Sequence, residues 1–167
     1  TFDREKTFCV DQTDWYPRVI FRGNRCGRNR ARGLLLTSAK EMMIEDNLID
    51  SEGSCIKVNS DMKKWYESGA VSRLVIRHNR LRRHNQVNWG NAIIDVDPGM
   101  LQLSEEAAFH GQIIIEDNDI FLGRTPLFYG YSLRELTLRN NRIFLEGEEV
   151  PSEYSDYVKA HHVCMLQ

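Results

Sequence analysis

The 167-residue sequence lacks the features that would assign it to a class of protein at once. It contains no run near the ~18 apolar residues of a membrane-spanning helix. Its net charge of −2 gives no general attraction to nucleic acid or to an anionic membrane. We therefore expect neither a membrane span nor a nucleic-acid partner. Since the sequence starts with Thr1, we also expect it to be a piece of a longer chain.

Motifs for metal, cofactor and nucleophile chemistry are also missing. The five histidines have no ligand spacing, and no phosphate-cradling glycine-rich loop or Ser-His-Asp arrangement is present. The cysteines lack Cys-x-x-Cys spacing, and they are Cys9, Cys26, Cys55 and Cys164. The sequence thus predicts buried free thiols, no metal and no organic cofactor.

What the sequence does contain is a repeat built on five asparagines, each with apolar residues five and three positions before it and two after it. The asparagines are Asn24, Asn47, Asn79, Asn118 and Asn141. The framing residues are Val19, Phe21, Cys26, Met42, Ile44, Ile49, Leu74, Ile76, Leu81, Ile113, Ile115, Ile120, Leu136, Leu138 and Ile143. This frame predicts a strand with alternating inward apolar residues and a corner at each asparagine. We expect the asparagines to take the left-handed conformation and to stack as a hydrogen-bonded ladder.

The distances between repeats and the charges beside them also predict stacked coils. The asparagines are 23, 32, 39 and 23 residues apart, which indicates a coil of 23 residues with insertions in two coils. The residues two positions before them alternate in sign, and they are Arg22, Glu45, Arg77, Glu116 and Arg139. Coils stacked about 4.8 Å apart would place opposite charges on neighbouring strands.

Two repeat architectures fit the first strand of each coil. The segment from Leu133 to Ile143 matches the leucine-rich repeat, which continues into a helix or a short turn. The segments that follow the asparagines, 33–38, 54–60, 91–97 and 126–129, have the character of strands instead. We therefore favour an all-β fold, a right-handed parallel β-helix of five to six coils with inserted loops. Residues 1–167 would form one domain, part of a longer solenoid.

Candidate binding residues lie on the later strand of each coil. Alignment of Leu36, Val58 and Val96 as inward residues places Lys57 and Asp95 in one outward column. Asn59 then belongs to the next outward column. Such polar columns suit the hydroxyl groups of a sugar, although a solvated strand surface has the same character.

The insertion between the second and third repeats contains Trp65, with Asp61 and Glu67 on either side. A flat aromatic face can stack on the apolar face of a sugar ring. Two carboxylates about 5–5.5 Å apart would suit retaining glycoside hydrolysis, and about 6.5–9.5 Å apart inverting hydrolysis. The alternative is that the aromatic side chains pack against the coil and the acids are solvated. The insertion at 82–91 is equally compatible with a groove wall and with a solvated loop.

Several segments resemble glycoside hydrolase family 110. The resemblance runs from about residue 17 to 145, and its specific parts are Arg-Ala-Arg-Gly at 30–33 and Trp-Tyr-Glu-Ser-Gly at 65–69. It also includes 45–47, 76–79 and 110–118. The resemblance implies a right-handed β-helix enzyme, periplasmic or extracellular, that releases terminal α-1,3-linked galactose with inversion. This chain would correspond to the later coils.

The family is expected to have a pair of adjacent aspartates upstream of the matching part, and no Asp-Asp occurs in this sequence. The resemblance therefore implies a glycosidase whose catalytic set is incomplete in this chain. We expect Asp61 and Glu67 as the acidic contributors and Trp65 as the sugar platform. The expected substrate-binding residues are Arg32, Asn59, Lys57 and Asp95. The alternative is a non-catalytic repeat solenoid that binds glycan or protein.

Overall fold

A computed structural model describes residues 16–60, 69–83, 89–99, 108–151 and 154–166. This part of the chain is all-β, with a single turn of 3₁₀ helix at Tyr154–Asp156. The first seven strands are β1 (Arg18–Arg22), β2 (Arg25–Asn29), β3 (Arg32–Leu36), β4 (Ala39–Glu45), β5 (Leu48–Ser51), β6 (Ser54–Val58) and β7 (Val71–Arg77). The others are β8 (Arg80–Arg83), β9 (Ile94–Val96), β10 (His110–Glu116), β11 (Asp119–Leu122), β12 (Phe128–Arg139), β13 (Arg142–Leu145), β14 (Glu148–Val150) and β15 (Val158–Leu166).

The strands form two sheets in which hydrogen-bonded neighbours are mostly three strands apart in the chain. One sheet has the order β1-β4-β7-β10-β12-β9-β6-β3, with β15 also on β12, and it is parallel. The other has the order β14-β13-β11-β8-β5-β2, and only the β13–β14 pair is antiparallel. The long β12 joins two stacks of strands in one curled sheet, because its ends pair with β9 and β10. No helix among the described residues is long and apolar enough to cross a membrane.

The segments after each asparagine are strands, as the sequence predicts. β3, β6, β9 and the start of β12 occupy the four segments expected to be extended, and the described residues contain no α-helix. This finding favours stacked β-coils over the leucine-rich alternative. The insertion in the coil between Asn79 and Asn118 is divided, because long connections both precede and follow the three-residue β9.

The core consists of the framing residues in register. Met42 pairs with Leu74, which pairs with Ile113, and the same register holds along the other two columns. The framing residues of the four later coils are at most 8% exposed, whereas those of the first coil are half-buried. Each fully buried isoleucine or leucine contributes about 1.5–3 kcal/mol. The predicted inward faces are therefore confirmed.

The predicted asparagine ladder is present along all five coils. Asn79 shows its geometry: its backbone N and its Nδ2 donate to Asn118 Oδ1 at 2.9 and 3.0 Å. The same Nδ2 also donates to Ile44 O, on the preceding coil, at 2.8 Å. At the far end, the backbone N of Asn141 donates instead to the Tyr154 hydroxyl at 2.9 Å. The 3₁₀ turn thus supplies the acceptor that another asparagine would offer.

The prediction that the asparagines are left-handed is wrong by one position. Positive φ angles belong to the residue before each of them, and these residues are Gly23 (70°), Asp46 (56°), His78 (53°), Asp117 (54°) and Asn140 (53°). Apart from Gly23, they are residue types enriched in the left-handed region. The turn is made before the asparagine, which leaves the asparagine's amide free to bond along the stack.

The alternating charge column is also confirmed. Arg22 Nε and Arg77 Nε each donate to Glu45 at 2.6 Å, and Arg139 Nε donates to Glu116 at 2.7 Å. Burial alone would raise the pKa of Glu45, but the hydrogen bonds from both arginines hold that pKa below its ordinary value. The alternation extends beyond this column. The segments 22–30, 77–83 and 139–142 contain only basic charges, and 45–52 and 116–119 only acidic ones.

The described thiols agree with the predicted free cysteines. Cys55 is buried and Cys26 is half-buried, and both are free. Burial, with a smaller contribution from Asp50, raises the pKa of Cys55 to about 12. Cys9 and the side chain of Cys164 lie outside the described residues. Cys55 therefore stays a neutral thiol at physiological pH.

Replacing Asn79 with alanine should destabilise the fold strongly. The change removes the hydrogen bonds that the Asn79 amide makes with Asn47 N, Ile44 O and Arg77 O, which costs about 1–3 kcal/mol for each buried group left unpaired. Asn24→Ala is the matched control, since Asn24 is exposed at one end of the ladder. Urea unfolding of both variants measures the difference. Equal losses of unfolding free energy would mean that the ladder does not hold the coils together.

The buried His110 should make the fold sensitive to acid. Its side chain is 1% exposed, and Val71 N donates to His110 Nδ1 at 3.3 Å. Burial, together with the positive charge of Lys57, lowers the pKa of His110 to about 3. In the unfolded chain the imidazole takes up a proton near pH 6.5. Folding stability from the neutral ring is therefore complete above pH 6.5 and decreases as the pH falls towards 3.

We expect His110→Leu to remove this acid sensitivity. Between pH 7 and pH 5 the parent should lose about 2 kcal/mol more unfolding free energy than the variant, because only the parent has a histidine at this position to protonate on unfolding. Leucine suits the position, since Leu133 is its register partner on β12. Urea titrations at the two pH values measure the effect. Parallel pH profiles for the two proteins would contradict it.

Candidate functional site

A cavity of about 340 Å³ lies on the outer face of the later strands, beside the predicted binding columns. It is lined by Ala31, Arg32, Ser54, Lys57, Trp89, Gly90, Asn91 and Asp95. Three of the residues predicted to bind substrate, Arg32, Lys57 and Asp95, therefore meet in one cavity. They come from β3, β6 and β9, which are neighbouring parallel strands.

The shape of the cavity follows from the shortness of β9. β6 begins at Ser54, but its pairing with β9 begins only at Ile56 and Ile94. Ser54 is therefore not covered by a strand residue on that side. Residues 89–92 bend past it instead and form the opposite wall.

A buried arginine holds this wall in place. Arg83 is 5% exposed, and its guanidinium donates to Trp89 O at 3.1 Å, to Gly90 O at 3.3 Å and to Ala92 O at 3.2 Å. Three carbonyl groups of one bend are thus fixed by a planar group with five donors. The arrangement keeps Trp89 and Gly90 beside β6.

Lys57 and Asp95 form an ion pair on the cavity floor. Lys57 Nζ lies 3.0 Å from Asp95 Oδ1 and 3.8 Å from Asp97 Oδ2. Asp95 has no exposed surface, and its Oδ2 accepts a hydrogen bond from Asn91 N at 2.8 Å. Asp95 thus lies in the predicted outward column, but the bend at 89–91 covers it. Its carboxylate orients Lys57 and is shielded from solvent.

Ser54 and Gly90 make a close contact at the other side of the floor. Ser54 Oγ is buried and has no hydrogen-bond partner among the described residues. Gly90 has a φ of +85°, and a Cβ at this position would lie 1.9 Å from that oxygen. Only glycine fits here, because a side chain at this position would collide with the buried hydroxyl.

Trp89 supplies an aromatic surface at the rim. Its side chain is 49% exposed, and the Arg30 guanidinium lies 5.5 Å from the ring centroid. A tryptophan kept partly in solvent by a fixed backbone can stack on the apolar face of a sugar. The sequence indicated Trp89 and Gly90 only as part of the insertion at 82–91, which was compatible with a groove wall, and it did not single out Ser54.

Polar groups continue along the same face beyond the cavity. Tyr129 follows Asp95 in register, and its ring lies 6.0 Å from that of His161 on β15. Burial and then the carboxylates of Asp97 and Asp95 raise the pKa of Tyr129, so its hydroxyl remains a donor. Among the described residues, no group of three or more His, Cys, Asp or Glu side chains could hold a metal ion.

Of the other predicted site residues, the structure describes only Asn59. Asn59 is half-buried at the end of β6, where its backbone N donates to Leu36 O at 3.2 Å. Asp61, Trp65 and Glu67 lie outside the described residues. Their roles stay predictions.

Gly90→Ala should obstruct the cavity and destabilise the protein. Gly147 is a matched control, because its φ is +95° and no atom lies within 4 Å of its added Cβ. Gly147→Ala should lose about 1 kcal/mol from backbone strain alone. Gly90→Ala should lose about 1–3 kcal/mol more, because its methyl group collides with Ser54. Urea unfolding compares the two, and equal losses would exclude the close contact.

The sequence of the chain is similar to that of several proteins named as glycosidases. No family model matches the chain. It is 36% identical over 143 residues to a protein named alpha-1,3-galactosidase B from Akkermansia muciniphila, a match covering 83% of this chain and 18% of that protein. It is 35% identical over 156 residues to alpha-1,3-galactosidase B from Bacteroides fragilis, a match covering 89% of this chain and 26% of that protein. It is 32% identical over 137 residues to alpha-1,3-galactosidase A from Bacteroides fragilis, a match covering 81% of this chain and 23% of that protein.

These relatives are much longer than the chain, which spans about a fifth to a quarter of their length. The matched residues nevertheless include most of the described strands of this chain. The chain is thus a homologue of one segment of proteins named alpha-1,3-galactosidase.

Proposed function

We propose that the chain is a segment of a right-handed parallel β-helix of the glycoside hydrolase family 110 type, acting on glycans that end in α-1,3-linked galactose. The observation that carries the proposal is the 340 Å³ cavity in which Arg32, Lys57 and Asp95 meet beside an exposed tryptophan. The similarity to alpha-1,3-galactosidases supports the substrate class.

The cavity has the chemistry that a hydroxylated ring requires. Lys57 and Arg32 can donate hydrogen bonds to it, and Asp95 holds the lysine in position. The indole of Trp89 would lie against the apolar face of the sugar. A pocket that combines one aromatic wall with a few placed polar groups is typical of a small-ligand site.

Hydrolysis with inversion needs a general acid on the leaving oxygen and a general base that activates water on the opposite face. Asp95 is buried and paired with Lys57, which suits a positioning role rather than proton transfer. We therefore keep Asp61 and Glu67 as the proposed acid and base contributors and Trp65 as a second platform. An upstream segment of a longer protein would complete the set.

The second candidate is a glycan-binding module without turnover. It is favoured by the burial and pairing of Asp95, the only carboxylate that lines the described part of the cavity. It is also consistent with the fraction of each relative that the chain spans. This candidate predicts binding of terminal galactose and no release of it.

Galactose release from an α-1,3-linked galactosyl disaccharide by the longer protein that carries this segment tests the first candidate, with the α-1,4-linked isomer as the linkage control. We expect Asp61→Asn and Glu67→Gln to lower kcat by about 10²–10⁴-fold. Proton NMR of the first product should show the β-anomer. Full activity in both variants would refute the assignment of these acids.

Binding of the same disaccharide, measured by calorimetry, separates the two candidates. Trp89→Ala should weaken binding about tenfold or more, and Leu145→Ala, an exposed apolar residue on the other sheet, should not. Binding without turnover would select the second candidate. Neither binding nor turnover would refute both.

A further inference from the structure

The six-stranded sheet carries a charge pattern with one interruption. The residues directly after the asparagines form a single column, in the order Arg25, Leu48, Arg80, Asp119 and Arg142. Because the sign of the charge alternates from coil to coil, an acid is expected between Arg25 and Arg80. Leu48 stands there instead.

The intact half of the column shows how an arginine at this position uses a carboxylate. Arg142 Nε donates to Asp119 Oδ1 at 2.8 Å, and Arg142 Nη2 donates to Asp119 Oδ2 at 2.8 Å. This is a bidentate pair, the strongest geometry for an arginine and an oxyanion. The same strand spacing separates Arg80 from position 48.

The other half has arginines without such a carboxylate. Within the described ranges, no carboxylate lies within 4.0 Å of the Arg25 or Arg80 guanidinium. Arg80 and Arg82 lie 4.6 and 4.9 Å from the centroid of Phe121, which is itself stacked on Phe144 at 4.6 Å. Stacking on an aromatic ring positions a guanidinium but leaves its in-plane N–H donors available.

A hollow of about 110 Å³ lies at the interruption, lined by Arg25, Leu48, Ile49, Asp50, Arg80 and Arg82. The hollow therefore has room for a group of several heavy atoms. Asp50 pairs with Arg82 in register and offsets one positive charge, which leaves the lining cationic. The apolar floor of Leu48 and Ile49 reduces screening by water.

We propose that this hollow binds a single oxyanion group, a carboxylate or a sulfate, in the place of the acid that the second coil lacks. Arg25 and Arg80 donate to it from either side of Leu48, and Arg82 donates from the adjacent column. The site is separate from the cavity of the proposed function, since it lies on the other sheet. A dense polyanion such as nucleic acid fits poorly, because Glu148 and Glu149 lie on the edge strand of this same sheet and the chain carries a net charge of −2.

Titration with sodium sulfate against sodium chloride at equal ionic strength tests the site, with the thermal midpoint Tm as the readout. The Tm of the parent should rise with sulfate in a saturable way. Arg80→Gln should weaken the apparent affinity for sulfate about fivefold or more. Arg134→Gln is the matched control: it removes the same charge from an exposed position on the other sheet and should leave the affinity unchanged.

Leu48→Asp provides a second, independent test, because it restores the acid that the column lacks. We expect this variant to lose the sulfate-dependent shift and to have a higher Tm than the parent without sulfate. Sulfate affinity that is unchanged in Leu48→Asp and Arg80→Gln would overturn the proposal. An equal loss in Arg134→Gln would overturn it as well, by indicating a general charge effect.

Galactose 6-sulfate compared with galactose identifies the source of the oxyanion. Binding of the sulfated sugar that Arg80→Gln weakens would support a glycan-borne group, and binding of inorganic sulfate alone would support a free anion. A parent that responds to neither sulfate nor galactose 6-sulfate refutes the site.

Discussion

The structure depends on the side-chain amide of one asparagine per coil. That amide accepts from the backbone and side chain of the preceding asparagine and donates to a carbonyl on a neighbouring coil, as Asn79 does with Ile44. An amide is the only ordinary side-chain group that offers an acceptor and two donors in one plane. A ladder of such groups fixes the spacing of the coils at their corner, where the backbone leaves one strand and enters the next. The ladder thereby also fixes the register of the neighbouring columns of side chains.

Two other features are understandable as consequences of that register. The left-handed residue precedes each asparagine, and the asparagine that follows directs its amide along the stack. The charged residues around the corner alternate from coil to coil, so each carboxylate such as Glu45 lies between two arginines. Without this alternation, like charges would face each other on neighbouring strands, which is unfavourable. The ladder thus sets the spacing of the coils, and the charges favour the observed pairing of the strands.

The regular part of this fold was predictable from the sequence, because each coil repeats the same residue types at the same positions. The inward residues, the ladder and the Arg22–Glu45–Arg77 column repeat with the coil, and each follows from strand alternation. The turn position was not predictable in the same way. Asp, His and Asn at the preceding positions tolerate a positive φ, but so does the asparagine that follows, and only the backbone geometry distinguishes the two.

The candidate site was predictable only in part, for a related physical reason. Lys57 and Asp95 were found because they occupy a regular outward column, whereas Arg32 was expected only from the resemblance to glycoside hydrolase family 110. Ser54, Trp89 and Gly90 were not found in this way, because their contact arises where β9 is two residues too short to cover β6. The omission that leaves Ser54 without a covering strand also brings the bend at 89–91 over Asp95. The stability of the coils thus depends on a corner that repeats in every coil. The candidate binding site, in contrast, lies where one coil departs from the repeat.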